Sequence, residues 1–357
     1  MRMNMAKGHW LGTPWQDTLG ILMPPFVALA LVVVMDPHAL LSPMSWLIMV
    51  VGIDVAHVYS TIFRTYWTSE SRMRGGALLW SIPLMCLVVG VLVHMASPAW
   101  FWRLLAYAAV WHFVRQQYGF MRLYQRNETR LPWQRFISAL AIYSATIYPI
   151  LYWHFSGDRA FHWMVEGDFW KFPQVPETAL SVLEFLYFMI LLVFVATVII
   201  QIVRTKTFNV PKLLLIAGTY VSWYFGIVYF NGDWAFTALN VISHGIPYLT
   251  LIWITDGKSI GPSQRAWRNV WVYALVVVFL ALGEEAMWDG LVWRDHPGFF
   301  QWLYPPEPLQ DRAWLNLLVP LLALPQLVHY VLDGFIWRAS YGSHAAKKEA
   351  VSGEFKT

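Results

Sequence analysis

Two scarcities frame this chain. It has one cysteine, Cys86, in 357 residues, which excludes a disulfide scaffold, a cysteine-based zinc site and a protein-held iron–sulfur cluster. Charge is equally thin. Asp, Glu, Lys and Arg make up 13% of the chain, about half the share usual in a soluble domain, which is about 25%. Such a chain is neither disordered nor a nucleic-acid binder, and a soluble globular enzyme is a poor fit. No internal repeat and no low-complexity tract is present. What the chain has in abundance is apolar and aromatic surface: 58% hydrophobic residues, 22 tryptophans and a mean hydropathy of +0.46. That composition belongs to a polytopic membrane protein, with tryptophans at the membrane–water interfaces.

Ten apolar spans are expected, at roughly 19–35, 44–63, 76–95, 98–121, 133–155, 178–203, 211–230, 234–255, 269–283 and 313–337. The expected fold is an all-α integral membrane helix bundle. Residues 1–18 form a cytoplasmic N-terminal segment, 19–339 the transmembrane domain and 340–357 a disordered cytoplasmic tail. Pro43, Pro98, Pro132, Pro176 and Pro211 stand at or just before span starts, where a missing N–H costs little. With both termini inside, the inner segments hold 19 of the 25 Lys and Arg and the outer loops four: Arg159, Lys171, Arg294 and Arg312. This is the asymmetry of the positive-inside rule; the expected setting is a bacterial-type inner membrane or its equivalent. No cleavable signal peptide is expected, because the first apolar run follows a polar start and lacks a small-residue cleavage site. Two outer loops, 156–177 and 284–312, are long enough to fold as lids.

Ionisable residues inside a bilayer are expensive and point to function. Seven of the eleven histidines fall in tails, loops or span ends. The other four, His57, His112, His244 and His329, fall one each on spans two, four, eight and ten, all running from outside to inside. At a rise of about 1.5 Å per residue they reach overlapping depths, roughly 15–24 Å below the outer surface. Asp54 precedes His57 by three residues and Asp333 follows His329 by four, so each carboxylate shares a helix face with an imidazole. These two aspartates are the only acids expected deep in the spans. Arg115 and Gln116 follow His112 by three and four, and Gln326 precedes His329 by three. Tyr118 and Tyr330 lie at the same level. Pro247 leaves the carbonyl of Ser243 without its helical donor beside His244.

Imidazole is the commonest protein metal ligand, and carboxylates offset the ion's charge. The expected site is therefore a divalent transition metal held by His57, His112, His244 and His329. Asp54 and Asp333 serve as ligands or as orienters of the rings. Arg115, Gln116, Gln326, Tyr118 and Tyr330 supply outer contacts or meet substrate. Iron is the leading metal, with zinc, manganese or copper open. The substrate is a membrane lipid or other apolar molecule, the chemistry oxidative, and an electron-donor protein could dock on the cytoplasmic face. Three other readings stand beside it. One is a proton-coupled transporter or proton pathway, another a haem protein with paired histidine ligands, and the third a purely packing role for the histidines. Arg64, Arg115 and Arg338 lie just below the histidine layer, where they could grip an anionic head group or simply snorkel to the interface.

The histidine boxes of membrane desaturases and hydroxylases are absent. The separated arrangement of His57, His112, His244 and His329 resembles in layout the Brp/Blh type of β-carotene dioxygenase, a polytopic membrane family with scattered histidines that bind iron. The likeness covers those four positions and no residue-by-residue motif. It implies iron-dependent oxygenation.

Overall fold

A computed structural model describes residues 8–128, 131–173, 175–257 and 266–337, the side chains of 266–268 excepted. Every regular element among them is helical. The long ones, in chain order, are α1 (Pro14–Leu22 and Pro24–Val34), α2 (Pro43–Thr65), α3 (Leu78–Ala96), α4 (Pro98–Tyr124) and α5 (Pro132–Phe155). There follow α6 (Glu177–Thr205), α7 (Val210–Tyr229), α8 (Asp233–Asp256), α9 (Asn269–Trp293) and α10 (Arg312–Ile336). Eight of them, α2, α3 and α5–α10, are long and apolar enough to cross a bilayer, and α1 makes a ninth if its two bent halves count as one span. The chain is an all-α polytopic membrane protein. α4 has the length, 27 residues, but carries Arg103, His112, Arg115, Gln116, Gln117 and Arg122, which lower its hydropathy. Arg338 and the tail from 340 onward lie outside the described residues, as do residues 1–7.

Two of the expected spans need correction. The first is not one straight run over 19–35. It bends by 45° between Leu22 and Pro24, where the successive rings of Pro24 and Pro25 break the hydrogen-bond ladder. The ninth does not stop at 283. Its helix continues through Glu284 and Glu285 to Trp288 and, with widened turns, to Trp293. Three acids assigned to an outer loop, Glu284, Glu285 and Asp289, are thus inside the helix that carries this candidate span.

Wide turns recur. Residues Leu47–Val55 form a π-helical stretch, and the Ala56 N–H reaches back to the carbonyls of Ile53 and Val51. Such stretches are rare and concentrate at functional sites. This one carries Asp54 and leads directly into His57.

The contacts divide the chain into two units, residues 1–42 with 110–250 and residues 43–109 with 251–357. In the first, α7 packs closely on α1 through Gly218, where an added Cβ would stand 3.0 Å from the Pro25 ring. Ser144 of α5 hydrogen-bonds Tyr220 of α7 at 2.7 Å. Lys212, fully buried, pairs with Glu128 at 3.3 Å, and the Asn209 side chain donates to the same carboxylate and to the Tyr124 carbonyl. In the second unit α3 packs against α10 through Leu79, Ile82, Cys86, Leu332 and Ile336. The lone cysteine is a core residue there. His94 bonds the Asn316 side chain at 2.8 Å. Arg64, at the end of α2, pairs with Asp256 at 2.9 Å, donates to the Ile336 carbonyl and lies over the Trp337 ring. Both the arginine and its aspartate are thereby occupied in joining the ends of α2, α8 and α10.

Candidate metal centre

Each unit contributes a pair of the expected histidines. In the first, α4 and α8 bring the rings of His112 and His244 to 5.1 Å, edge to face. The neighbour of His112, Phe113, stacks flat on His244 at 3.4 Å between ring centres. Gln116, one turn further along α4, donates from Nε2 to the His244 carbonyl at 2.9 Å. Its other amide atom, Oε1, is buried with no hydrogen-bond partner among the described residues. The imidazole of His244 is thus held by a stacked ring, and its backbone by an amide on the same neighbouring helix.

In the second unit, α2 and α10 bring His57 and His329 to 5.0 Å, again edge to face. His329 Nδ1 and Thr61 Oγ1 hydrogen-bond at 2.7 Å. Asp54 Oδ1 stands 3.4 Å from His57 Nδ1. A carboxylate on that side directs the other nitrogen, Nε2, away from it, the arrangement that prepares a histidine for a metal.

Three of the four imidazoles lie close enough together that they could hold a metal ion. His57, His112 and His244 each offer a ring nitrogen, and these atoms all lie within 4.8 Å of one another. All three residues are buried, at 2%, 4% and 1% exposure. Metal–nitrogen bonds of about 2.1 Å place two ligand nitrogens no more than about 4.2 Å apart, so the three rings would close on one another to bind a single ion. A three-imidazole set suits iron, zinc, copper or nickel and leaves positions open for water or substrate. The donor set therefore fits a metal ion. His329 stands beside His57 but is outside this group of three.

The remaining expected residues separate clearly. Asp333 accepts from Trp337 Nε1 at 2.6 Å, one turn further down its own helix. Tyr330 is partly buried next to His329. Arg115 is exposed; it donates to the Tyr143 hydroxyl and lies over the rings of Tyr118 and Trp111. Tyr118 stacks on Tyr143.

Gln326 leads to a group that the sequence reading did not find. It donates to Glu284, which also accepts from Tyr59 at 2.6 Å and from Trp288 Nε1 at 3.3 Å. Glu284 is 2% exposed. A carboxylate between α2, α9 and α10 is as costly as the aspartates. The signal was present in an adjacent acidic pair, Glu284–Glu285, followed by more apolar residues and a tryptophan, but the acids ended the apolar run.

The segment between α5 and α6 folds inward within the first unit. Phe161, Trp163 and Phe169 pack around Trp153 and Phe236. Trp163 also meets Phe113 edge-on at 5.1 Å, the ring that stacks on His244. Arg159 ties the segment to the carbonyls of Ile227 and Phe230, and Asn231 accepts from the Ala160 N–H at 2.8 Å. Asp168 accepts from the N–H groups of Met164 and Val165. Burial pushes its carboxyl up from the usual range, against the lowering effect of those bonds.

Comparison with known protein families, curated proteins and solved structures finds no match to this chain.

Proposed function

We propose that the protein is a membrane-embedded, metal-dependent oxidoreductase that acts on an apolar substrate, with iron as the metal. The observation that carries this reading is the buried group of His57, His112 and His244. Three neutral imidazoles hold a divalent ion firmly while leaving coordination positions open. Their burial in helices of a bilayer protein favours a substrate that is itself soluble in lipid. Iron in such a site supplies the redox chemistry needed to activate a C–H or C=C bond. Hydroxylation or desaturation of that kind consumes one dioxygen, two electrons and two protons per turnover. The electrons come from an external donor, which the surplus of Lys and Arg on the inner loops suits for docking at the cytoplasmic face.

The chain's own residues have definable parts. Asp54 orients His57. Phe113 and Gln116 hold His244. Phe113, met edge-on by Trp163, covers one face of the His244 ring. The charge asymmetry supports an inner placement of both termini, and the membrane proposed is a bacterial-type cytoplasmic one.

A second reading, a proton pathway, draws support from Glu284 and its bond to Tyr59, since buried acids of this kind serve such routes. Elemental analysis of mildly purified, detergent-solubilised protein separates the two. The proposal expects close to one equivalent of a transition metal, lost in each of His57→Ala, His112→Ala and His244→Ala and retained in His154→Ala. Less than about a tenth of an equivalent in the wild type, or retention in all three ligand variants, overturns it.

A further inference from the structure

In the second unit a cavity of about 380 Å³ opens between α2 and α10, within the range of small-molecule pockets, about 300–1,000 Å³. His329 forms part of its wall, and the ring of His57 stands 5.0 Å from that of His329. The break in α10 shapes it. Leu322 ends one half of that helix and Leu324 begins the other, and Pro325 lines the space.

The chemistry of the wall selects the occupant. Four lining residues carry hydroxyls, and every one is already engaged. Tyr59 donates to Glu284 at 2.6 Å, and Thr61 bonds His329 Nδ1 at 2.7 Å. Thr65 donates to the Thr61 carbonyl, and Tyr66 to the Leu79 carbonyl. The rest of the lining is largely aliphatic, with Val58, Ile62, Leu324 and Val328 among it. A polar ligand brought here would lose its hydration and find few groups in a largely aliphatic wall to replace it, at a cost of about 1–3 kcal/mol per group left unpaired, whereas an apolar ligand loses nothing.

We propose that this cavity holds a single flexible hydrocarbon chain of the substrate, entering between α2 and α10, with His329 and Thr61 at its inner wall. The assignment rests on the oxidoreductase reading above and narrows its substrate to molecules that carry such a chain. His329 then acts as a positioning residue: its hydrogen bond to Thr61 fixes the ring against which the chain packs.

The test uses the full chain in detergent and a hexadecanoic acid bearing a diazirine near its methyl end. Photolysis is expected to label peptides covering 56–65 and 321–332, saturably, with competition by excess hexadecanol and not by excess cholesterol. Ile62→Trp and Val328→Trp fill the cavity from opposite walls, and each is expected to cut labelling at least about five-fold while metal content stays at the wild-type level. Labelling that does not saturate, that falls mainly on the lipid-facing helix α6, that cholesterol competes as well as hexadecanol, or that survives both substitutions overturns the proposal. Peptide mapping of the wild type decides the matter even if a tryptophan variant fails to fold. A metal-free protein that still labels saturably in the cavity would remove the oxidoreductase reading and leave the chain site standing.

Discussion

Replacing Glu284 tests whether a carboxylate inside the spans is a structural hub. It accepts from Tyr59, Trp288 and Gln326, and it is 2% exposed. Glu284→Leu keeps much of the volume and removes every acceptor. A buried donor left without a partner costs about 1–3 kcal/mol. Three of them set an upper range of about 3–9 kcal/mol, and re-pairing of the Gln326 amide brings the expectation down to about 3–5 kcal/mol. Glu284→Gln keeps one oxygen and turns an NH2 group toward donors, so a loss of about 1–2 kcal/mol is expected. Tyr59→Phe removes one bond from the set, about 1 kcal/mol. The double variant Tyr59→Phe with Glu284→Gln should lose less than the two single losses together, because the interaction is counted twice in their sum. Reversible unfolding in mixed detergent micelles measures all four. Glu284→Leu within 1 kcal/mol of the wild type refutes the hub. None of these residues is among the three candidate ligands, so metal content should stay constant; a variant that keeps its stability and loses its metal would make Glu284 part of the metal centre instead.

Asp54→Asn should weaken metal binding by about 10–100-fold, the usual effect of removing a carboxylate that orients a ligand histidine, read by competition with a chelator; unchanged affinity would free His57 from Asp54. Lys212→Met should cost about 3–5 kcal/mol because it strands Glu128 in a buried setting, whereas Lys212→Met combined with Glu128→Leu should recover most of the loss; equal losses in the two would show that the pair, rather than the stranded charge, is what matters. The segment 156–173 should loosen as pH rises. The carboxyl of Asp168 is raised above its unfolded value, so its contribution is complete below the unfolded value, near pH 4, and is lost as pH climbs through the raised folded one. Hydrogen exchange should show protection of 156–173 falling across that interval in the wild type and changing less in Asp168→Asn; identical profiles would count against the assignment.

What could be read from the chain alone follows from which interactions are local. Helices that open on proline, at Pro43, Pro98 and Pro132, were legible because a single residue and the apolar run behind it define the start. The expectation that the four histidines reach overlapping depths needed only the rise per residue, a property of one helix. Which histidine faces which was not. The pairings His112–His244 and His57–His329 join segments far apart in sequence, and only packing decides them. The same limit explains the aspartates. Three- and four-residue spacing placed Asp54 beside His57 and Asp333 beside His329 equally well on paper. Asp54 stands beside its histidine, and Asp333 also accepts from Trp337, a partner four residues away in the opposite direction that the spacing argument did not name. Glu284 shows the converse error, since hydropathy treats an acid as the end of a span. A glutamate that finds Tyr59, Trp288 and Gln326 on three helices need not leave the membrane, because those donors replace the water it would otherwise need. Polar residues in this chain are therefore located by their partners. A partner one turn away is written in the sequence, and a partner on another helix appears only when the helices are packed.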